Sequence, residues 1–248
     1  MPWYVGPTLM EVLETVEVRC DESGKDLRLP VQWVNRPSSD FRGFSGLIAS
    51  GAVATGDTVS AALSGQPAVV SRIVGPSGDL TIAQSGQSVT LVLDREIDIS
   101  RGDVIAAPDR EPMVADQFAA HLLWMGGDQM LPERSYLIRL GGASATARVT
   151  DLVHRVDVNT LEHLASKTLE LNDVGYCKIA LDRAIAFDVF RDFPGTGGFV
   201  FIDSFSNATV GAGVIDFALR RASNIAWHEM KVDKAERAKI NGQKPCAL

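Results

Sequence analysis

Cysteine is scarce, and what there is falls far apart: Cys20, Cys177 and Cys246. An odd count at wide spacing forms no disulfide framework and no C-x-x-C zinc site, so reduced thiols are expected. Aromatic residues make up only 7% of the chain. They do not interleave with basic residues, as the stacking platforms of single-strand binders require. Positive charge is also short, with 24 Lys and Arg against 31 Asp and Glu, a net of −7. Nucleic-acid affinity rests on Lys and Arg that neutralise phosphates, so this balance argues against a nucleic-acid partner. No apolar run reaches the roughly 18 residues of a membrane span. The opening Met1-Pro-Trp-Tyr-Val-Gly-Pro7 has no basic region followed by an apolar stretch, so it does not read as a signal peptide. A cytoplasmic protein without a membrane partner is the expectation.

Catalytic signatures are missing as well. A phosphate-cradling G-x-x-x-x-G-K-[ST] run does not occur. Gly195-Thr-Gly-Gly198 has the glycines but no lysine, and it leads into an apparent strand, so it reads as a turn. Gly211-Ala-Gly213 lacks the third glycine and the helix of a dinucleotide fingerprint, and reads as glycine packing inside a strand. There is no G-x-S-x-G elbow. Among His121, His154, His163 and His228 no two stand at metal-ligand spacing. His154, beside Arg155 and Asp157, reads as a hydrogen-bonded structural residue. Asp94, Glu96 and Asp98 surround Arg95. Paired carboxylates can do acid–base work, but a strand-to-turn setting reads as a solvated edge. The same holds for Arg36, Arg42, Arg72 and Arg95, for which salt bridges to the abundant acids are expected. No catalytic, cofactor-binding or metal-binding residue is assigned.

What the chain does have is a patterned core. Hydrophobic residues form 46% of it, and 248 residues are enough for two domains. Leu9, Val12, Leu13 and Val16 share one helical face, and Thr8 with Glu11 makes a capping box. From Leu27 the pattern turns to short β runs broken by turn residues. Strands are expected at Leu27–Val34, Phe44–Ser50, Thr58–Leu63, Ala68–Val74, Ser88–Leu93 and Val104–Ala107. Pro108–Pro112 reads as a linker. A second β region follows at Met113–Trp124, Ser135–Leu140, Ala143–Val153, Thr168–Leu181, Phe199–Asp203 and Ala208–Phe217, with a helical turn at Thr160–Ala165 and a surface loop at Ala186–Gly198. Beyond Lys231 a charged helix is expected, with Asp233 as N-cap, Glu236 as its partner and Gly242 as its stop. Strands at such spacing predict an all-β sandwich or barrel fold.

Several fragments, in order along the chain, resemble one family. Met1-Pro-Trp-Tyr-Val-Gly-Pro-Thr-Leu9, Leu29-Pro-Val-Gln-Trp-Val-Asn-Arg-Pro37, Asp40-Phe-Arg-Gly-Phe-Ser-Gly46, Ile97-Asp-Ile-Ser-Arg-Gly-Asp-Val-Ile105, Ala115-Asp-Gln-Phe118 and Asn207-Ala-Thr-Val-Gly-Ala-Gly213 are similar to the GTP-binding large subunit of bacterial sulfate adenylyltransferase. The last also resembles a strand of elongation factor Tu. Gly242-Gln-Lys-Pro-Cys246 looks like the junction before an adenylylsulfate kinase domain. The resemblance implies two tandem elongation-factor-type β-barrels with short terminal helices. Residues 1–26 would then be a linker and helix from a GTPase domain, 27–109 the first barrel, 110–228 the second, and 229–248 a linker helix toward the kinase. Both ends would be cut points within a longer protein.

By the same resemblance, the full enzyme joins ATP and sulfate into adenosine 5′-phosphosulfate and pyrophosphate. A catalytic small subunit does that chemistry, driven by GTP hydrolysis on the large subunit. GTP and ATP would bind elsewhere, so no cofactor is expected in this chain. Its partners would be the GTPase domain in cis, the small subunit, and the adenylylsulfate kinase domain in cis. The alternatives are a translation-factor-like module that holds the acceptor end of transfer RNA, and an all-β enzyme. Asn35–Arg42 lies between two predicted strands and reads as an exposed loop, where binding residues concentrate. Arg36, Phe41 and Arg42 are residue types enriched in interfaces, and make it the candidate contact for a partner. The competing reading is that Phe41 plugs the barrel end and Arg36 pairs with Asp40.

Overall fold

A computed structural model describes residues 4, 6–16, 22–38 and 41–219. It is almost wholly antiparallel β. Helix α1 (Leu9–Thr15) opens it, with the reciprocal Thr8–Glu11 capping box in place. Its apolar face stays open to solvent, Leu9 being 74% exposed. The first sheet system contains β1 (Arg28–Pro30), β2 (Trp33–Ser38), β3 (Phe41–Leu47), β4 (Ala52–Ala54), β5 (Thr58–Ala61), β6 (Pro67–Gly75), β7 (Gly78–Leu80), β8 (Ile82–Gln84), β9 (Ser88–Leu93) and β10 (Val104–Ala106). The second contains β11 (Met113–Trp124), β12 (Ser135–Leu140), β13 (Ala143–Val156), β14 (His163–Leu164), β15 (Val174–Phe187), β16 (Gly198–Ile202) and β17 (Thr209–Ala218), with a single helical turn α2 (Pro194–Gly197) before β16.

In the first system the strand order is β1-β10-β5-β6-β9-β3-β2. The ends of that row are joined by one short stretch of chain. Val31 N–H donates to Asp103 O, while Gln32 N–H donates to Ser45 O. The backbone thus changes partners between β1 and β2, and the sheet closes into a barrel. This is why the single strand expected over Leu27–Val34 is two. A continuous strand has one neighbour on each side, whereas this segment must serve both ends of the sheet.

The second system closes on itself. Its order runs β12-β16-β17-β11-β15-β13, and β13 pairs back to β12. Alternation does the work along β13: Ala143, Ala145, Ala147 and Val149 point inward while Ser144, Thr146 and Arg148 face water. Small alanines leave room for rings from facing strands. Phe118 meets Phe187 at 5.2 Å and Phe199 at 5.5 Å, and Tyr136 stacks on Phe201 at 5.6 Å. Each buried ring or large aliphatic contributes on the order of 1.5–3 kcal/mol relative to exposure. Gly213 in β17 is required by this packing, since a Cβ there would lie 2.3 Å from the Phe199 ring.

Several expected elements move. The strand placed at Phe44–Ser50 runs Phe41–Leu47, and that placed at Thr168–Leu181 runs Val174–Phe187. Thr160–Ala165 is not a helical turn. Asp157 accepts the Asn159 and Thr160 amides in a side-chain-capped turn, and His163–Leu164 then pair with β13. The Asn35–Arg42 loop is a hairpin: Asn35 to Ser38 belong to β2, Phe41 and Arg42 to β3, with Ser38 facing Phe41. Ser39 and Asp40 lie outside the described residues, as do the helix expected beyond Lys231, His228, Cys20 and Cys246. No helix among the described residues is long and apolar enough to cross a membrane.

Candidate functional site at the seam between the barrels

The two barrels meet across a polar lock. Arg28 sits in β1 between the inward-facing Leu27 and Leu29, so alternation turns its side chain away from its own core. There it meets the second barrel. Its Nε donates to Asp188 Oδ2 at 2.8 Å and its Nη2 to Asp188 Oδ1 at 3.0 Å. Its Nη1 donates to the carbonyls of Leu27 and Arg110 at 2.9 and 2.8 Å. The Phe193 ring covers the guanidinium at 4.4 Å. Thr196 Oγ1 donates to the same Asp188 Oδ2 at 2.6 Å.

All three residues are buried, Arg28 at 3%, Asp188 at 6% and Thr196 at 2% exposure. Burying charge is costly unless it is paired and hydrogen-bonded. Here the bidentate geometry and the added hydroxyl supply both. Arg28 is also a closure residue of its own barrel, its N–H donating to Ser50 O at 3.0 Å and its carbonyl accepting from Ala49 N–H at 2.8 Å.

Around the lock the two barrels pack closely. Ala62 and Val104 of the first barrel pack on Ala186 of the second. Gly102, at φ 95°, lies so near the β12–β13 turn that a Cβ would stand 2.8 Å from Ala143 Cα. Lys25 Nζ donates to Asp192 O at 2.7 Å, and Glu111 in the connecting segment accepts from the Ser60 hydroxyl. The stretch Ala186–Gly198, expected to be a surface loop, is instead part of this seam. Ala186 and Phe187 end β15, Asp188 and Thr196 face Arg28, and only the intervening tip is exposed.

Comparison with known proteins places this geometry. A family profile described as GTP-eEF1A C-terminal domain-like matches residues 117–216, the body of the second barrel. Sup35 complexed with GDP superposes with a TM-score of 0.74 at 18% identity, over 88% of this chain and 54% of that one, which shows the shared fold. The bifunctional enzyme NodQ of Rhizobium sp. (strain N33) is 51% identical over the whole chain. The bifunctional enzyme CysN/CysC of Xylella fastidiosa is 47% identical over the whole chain. Sulfate adenylyltransferase subunit 1 of Colwellia psychrerythraea is 43% identical over 94% of it. The chain corresponds to the barrel segment of the sulfate adenylyltransferase large-subunit family. It spans 38%, 40% and 50% of the lengths of those three relatives.

Within this large-subunit segment the candidate contact residues stand apart from the lock. Arg36 pairs with Glu96 at 3.1 Å, both well exposed. Arg42 donates to Ile99 O at 3.3 Å and lies 5.3 Å over the Phe44 ring. The Phe41 ring is half-buried and fills the space over Gly43. Arg72 pairs with Asp79 as expected of it, and Arg95 reaches the Pro67 carbonyl rather than an acid. Asp94 accepts the Val69 amide at 2.8 Å, so the acidic cluster trims a strand edge.

The histidines make no metal cluster among the described residues. His154 is not hydrogen-bonded to Arg155 or Asp157. It stacks on His163 at 3.7 Å and on Tyr176 at 5.5 Å, while Arg155 pairs with Asp173. Desolvation, with His163 and His121 adding repulsion, holds its pKa below the ordinary value. Burial, with Asp151 nearby, pushes the Cys177 thiol up to about 12, so it is chemically quiet.

Proposed function

We propose that this chain is a non-catalytic, tandem-barrel coupling element of a sulfate-activating large subunit. In this reading GTP is hydrolysed on a GTPase domain of the longer protein, and ATP and sulfate are joined on a separate catalytic subunit. The barrels pass the state of one to the other, and an adenylylsulfate kinase domain shares the polypeptide. The observation that carries the reading is the collinear match over the full length of the chain to bifunctional NodQ at 51% identity. The seam suits the role physically. A lock that holds two barrels in one arrangement lets them move as a body, and small differential contacts then select between arrangements. The β2–β3 hairpin, with Arg36, Phe41 and Arg42, is the contact offered to the GTPase domain or the catalytic subunit.

The test uses the longer protein together with its catalytic subunit. Arg42→Ala should lower GTP-stimulated formation of adenosine 5′-phosphosulfate several-fold and weaken subunit association, with the circular dichroism spectrum unchanged. Unaltered coupling and association would make the hairpin structural. In this chain alone, calorimetric titration should show no micromolar GTP or ATP binding. Filter binding should show no retention of transfer RNA, whose specific capture would favour the translation-factor-like alternative.

A further inference from the structure

Beside the lock, the seam opens into a cleft of about 540 Å³ that runs on into a groove of about 760 Å³. Gln32 and Arg101 line both. Arg139, from the end of β12, lines the cleft, and Trp33 and Arg42 line the groove. Among the described residues no aspartate or glutamate lines either one, in a chain whose net charge is −7.

Two of the three arginines there, Arg101 and Arg139, are unlike the others. Each remaining arginine whose side chain is described holds a carboxylate or a carbonyl. The side chains of Arg101 and Arg139 make no hydrogen bond or ion pair among the described residues, and both are exposed. One comes from each barrel. An unpaired guanidinium is a strong, directional donor for a carboxylate or phosphate. Two of them in a cleft lined by no described acid form a local positive field on an acidic protein.

The shape favours an extended occupant. Strand β2 ends the row of the first sheet and pairs only with β3. Its residues Trp33 and Val34 line the groove, and Trp33 is 67% exposed. Beyond the closure at Val31 and Gln32, β2 keeps one edge without a strand partner among the described residues, which is the edge that strand addition uses. Trp and Arg are among the residue types enriched at interface hot spots.

We propose that this seam docks an extended, carboxylate-rich segment of a partner protein, gripped by Arg101 of the first barrel and Arg139 of the second. Because the grip takes one arginine from each barrel, affinity depends on their relative placement. The inference stands on the cleft and does not require the sulfate-activation reading.

The test uses the whole 248-residue chain and a fluorescent peptide of about ten residues alternating Glu and Val. Fluorescence anisotropy should show saturable binding that weakens as salt rises. Arg101→Ala/Arg139→Ala should weaken it roughly tenfold or more, and Arg101→Lys/Arg139→Lys should restore part of it. Neither side chain has a partner to lose, so the melting temperature should not move. The proposal is overturned by equal peptide affinity in parent and double-alanine variant, or by no binding of the peptide. It is equally overturned if inorganic tripolyphosphate or a single-stranded oligonucleotide binds more tightly with the same arginine dependence, since the site would then be one for phosphate.

Discussion

The two barrels reach closure by different means. The second is built from long strands, β13 and β15 being 14 residues each, and seals itself by direct β12–β13 pairing. Its core is a network of rings: Phe118, Phe187, Phe199, Phe201, Tyr136 and Trp124. The first uses mostly short strands, several of only three residues, and an aliphatic core in which Phe44 is the one aromatic residue among the described residues. Its closure depends on a single segment that changes partner at Val31 and Gln32, anchored on one side by Arg28. Arg28 in turn is held by the second barrel. The difference assigns roles: the second barrel is the platform, and the first is completed on it. That arrangement leaves the β2–β3 hairpin and the seam cleft presented to solvent on a supported frame.

The largest expected effect breaks the platform. Phe118→Ala removes the ring between Phe187 and Phe199 and should cost about 4 kcal/mol. Urea unfolding should show both barrels losing stability, because the first leans on the second. Next comes the lock. Arg28→Ala leaves Asp188 buried without its cation and should cost about 3 kcal/mol, felt mainly by the first barrel. Replacing both partners with apolar residues, Arg28→Met/Asp188→Leu, should recover much of that loss in the same measurement.

Acid should separate the barrels in sign. In the second, hydrogen bonds from the Ser206 amide and hydroxyl, helped by Arg134, hold the Asp203 carboxyl below its ordinary value of 3.8. A depressed carboxyl contributes stability above the unfolded value and loses it as pH falls through the folded one. In the first barrel, burial raises Asp103 above 3.8 despite the Val104 and Leu63 amides it accepts, and Asp98 adds to the rise. A raised carboxyl favours the fold below the unfolded value and loses that contribution as pH rises through the folded one. Thermal melts from neutrality down to about pH 3 should therefore show Asp203→Asn penalised near neutrality and level with the parent in acid. Asp103→Asn should compare worse with the parent in acid than near neutrality. The smallest effect belongs to the rim. Arg36→Ala breaks an exposed pair and should change unfolding free energy by less than about 1 kcal/mol.

Much of the second barrel was legible in the sequence. Met113–Trp124 and Ser135–Leu140 coincide with β11 and β12, because long alternating runs with turn residues at both ends leave one reading. The first barrel was less so. Ala52–Ala54 and Ile82–Gln84 are three-residue strands, too short to show alternation, and each becomes a strand only because the other pairs with it. The hairpin at Asn35–Arg42 reads as a loop in the sequence because Pro37 and polar residues mask its pairing. The lock was not legible at all. Arg28 carried a weak signal, a charge alternating with Leu27 and Leu29, but its partner lies 160 positions along the chain. Asp188 and Thr196 sit in a glycine- and proline-containing stretch whose composition reads as surface, and only the meeting of two barrels buries it.

The claim that the second barrel completes the first is tested most directly by native-state hydrogen exchange on the parent and Arg28→Ala. In the parent, core amides of β9 and β15 should share one high protection level, set by a common opening. In Arg28→Ala, β9 amides should lose protection while β15 amides keep nearly all of theirs. Equal loss in both strands, or no loss in β9, would contradict the account.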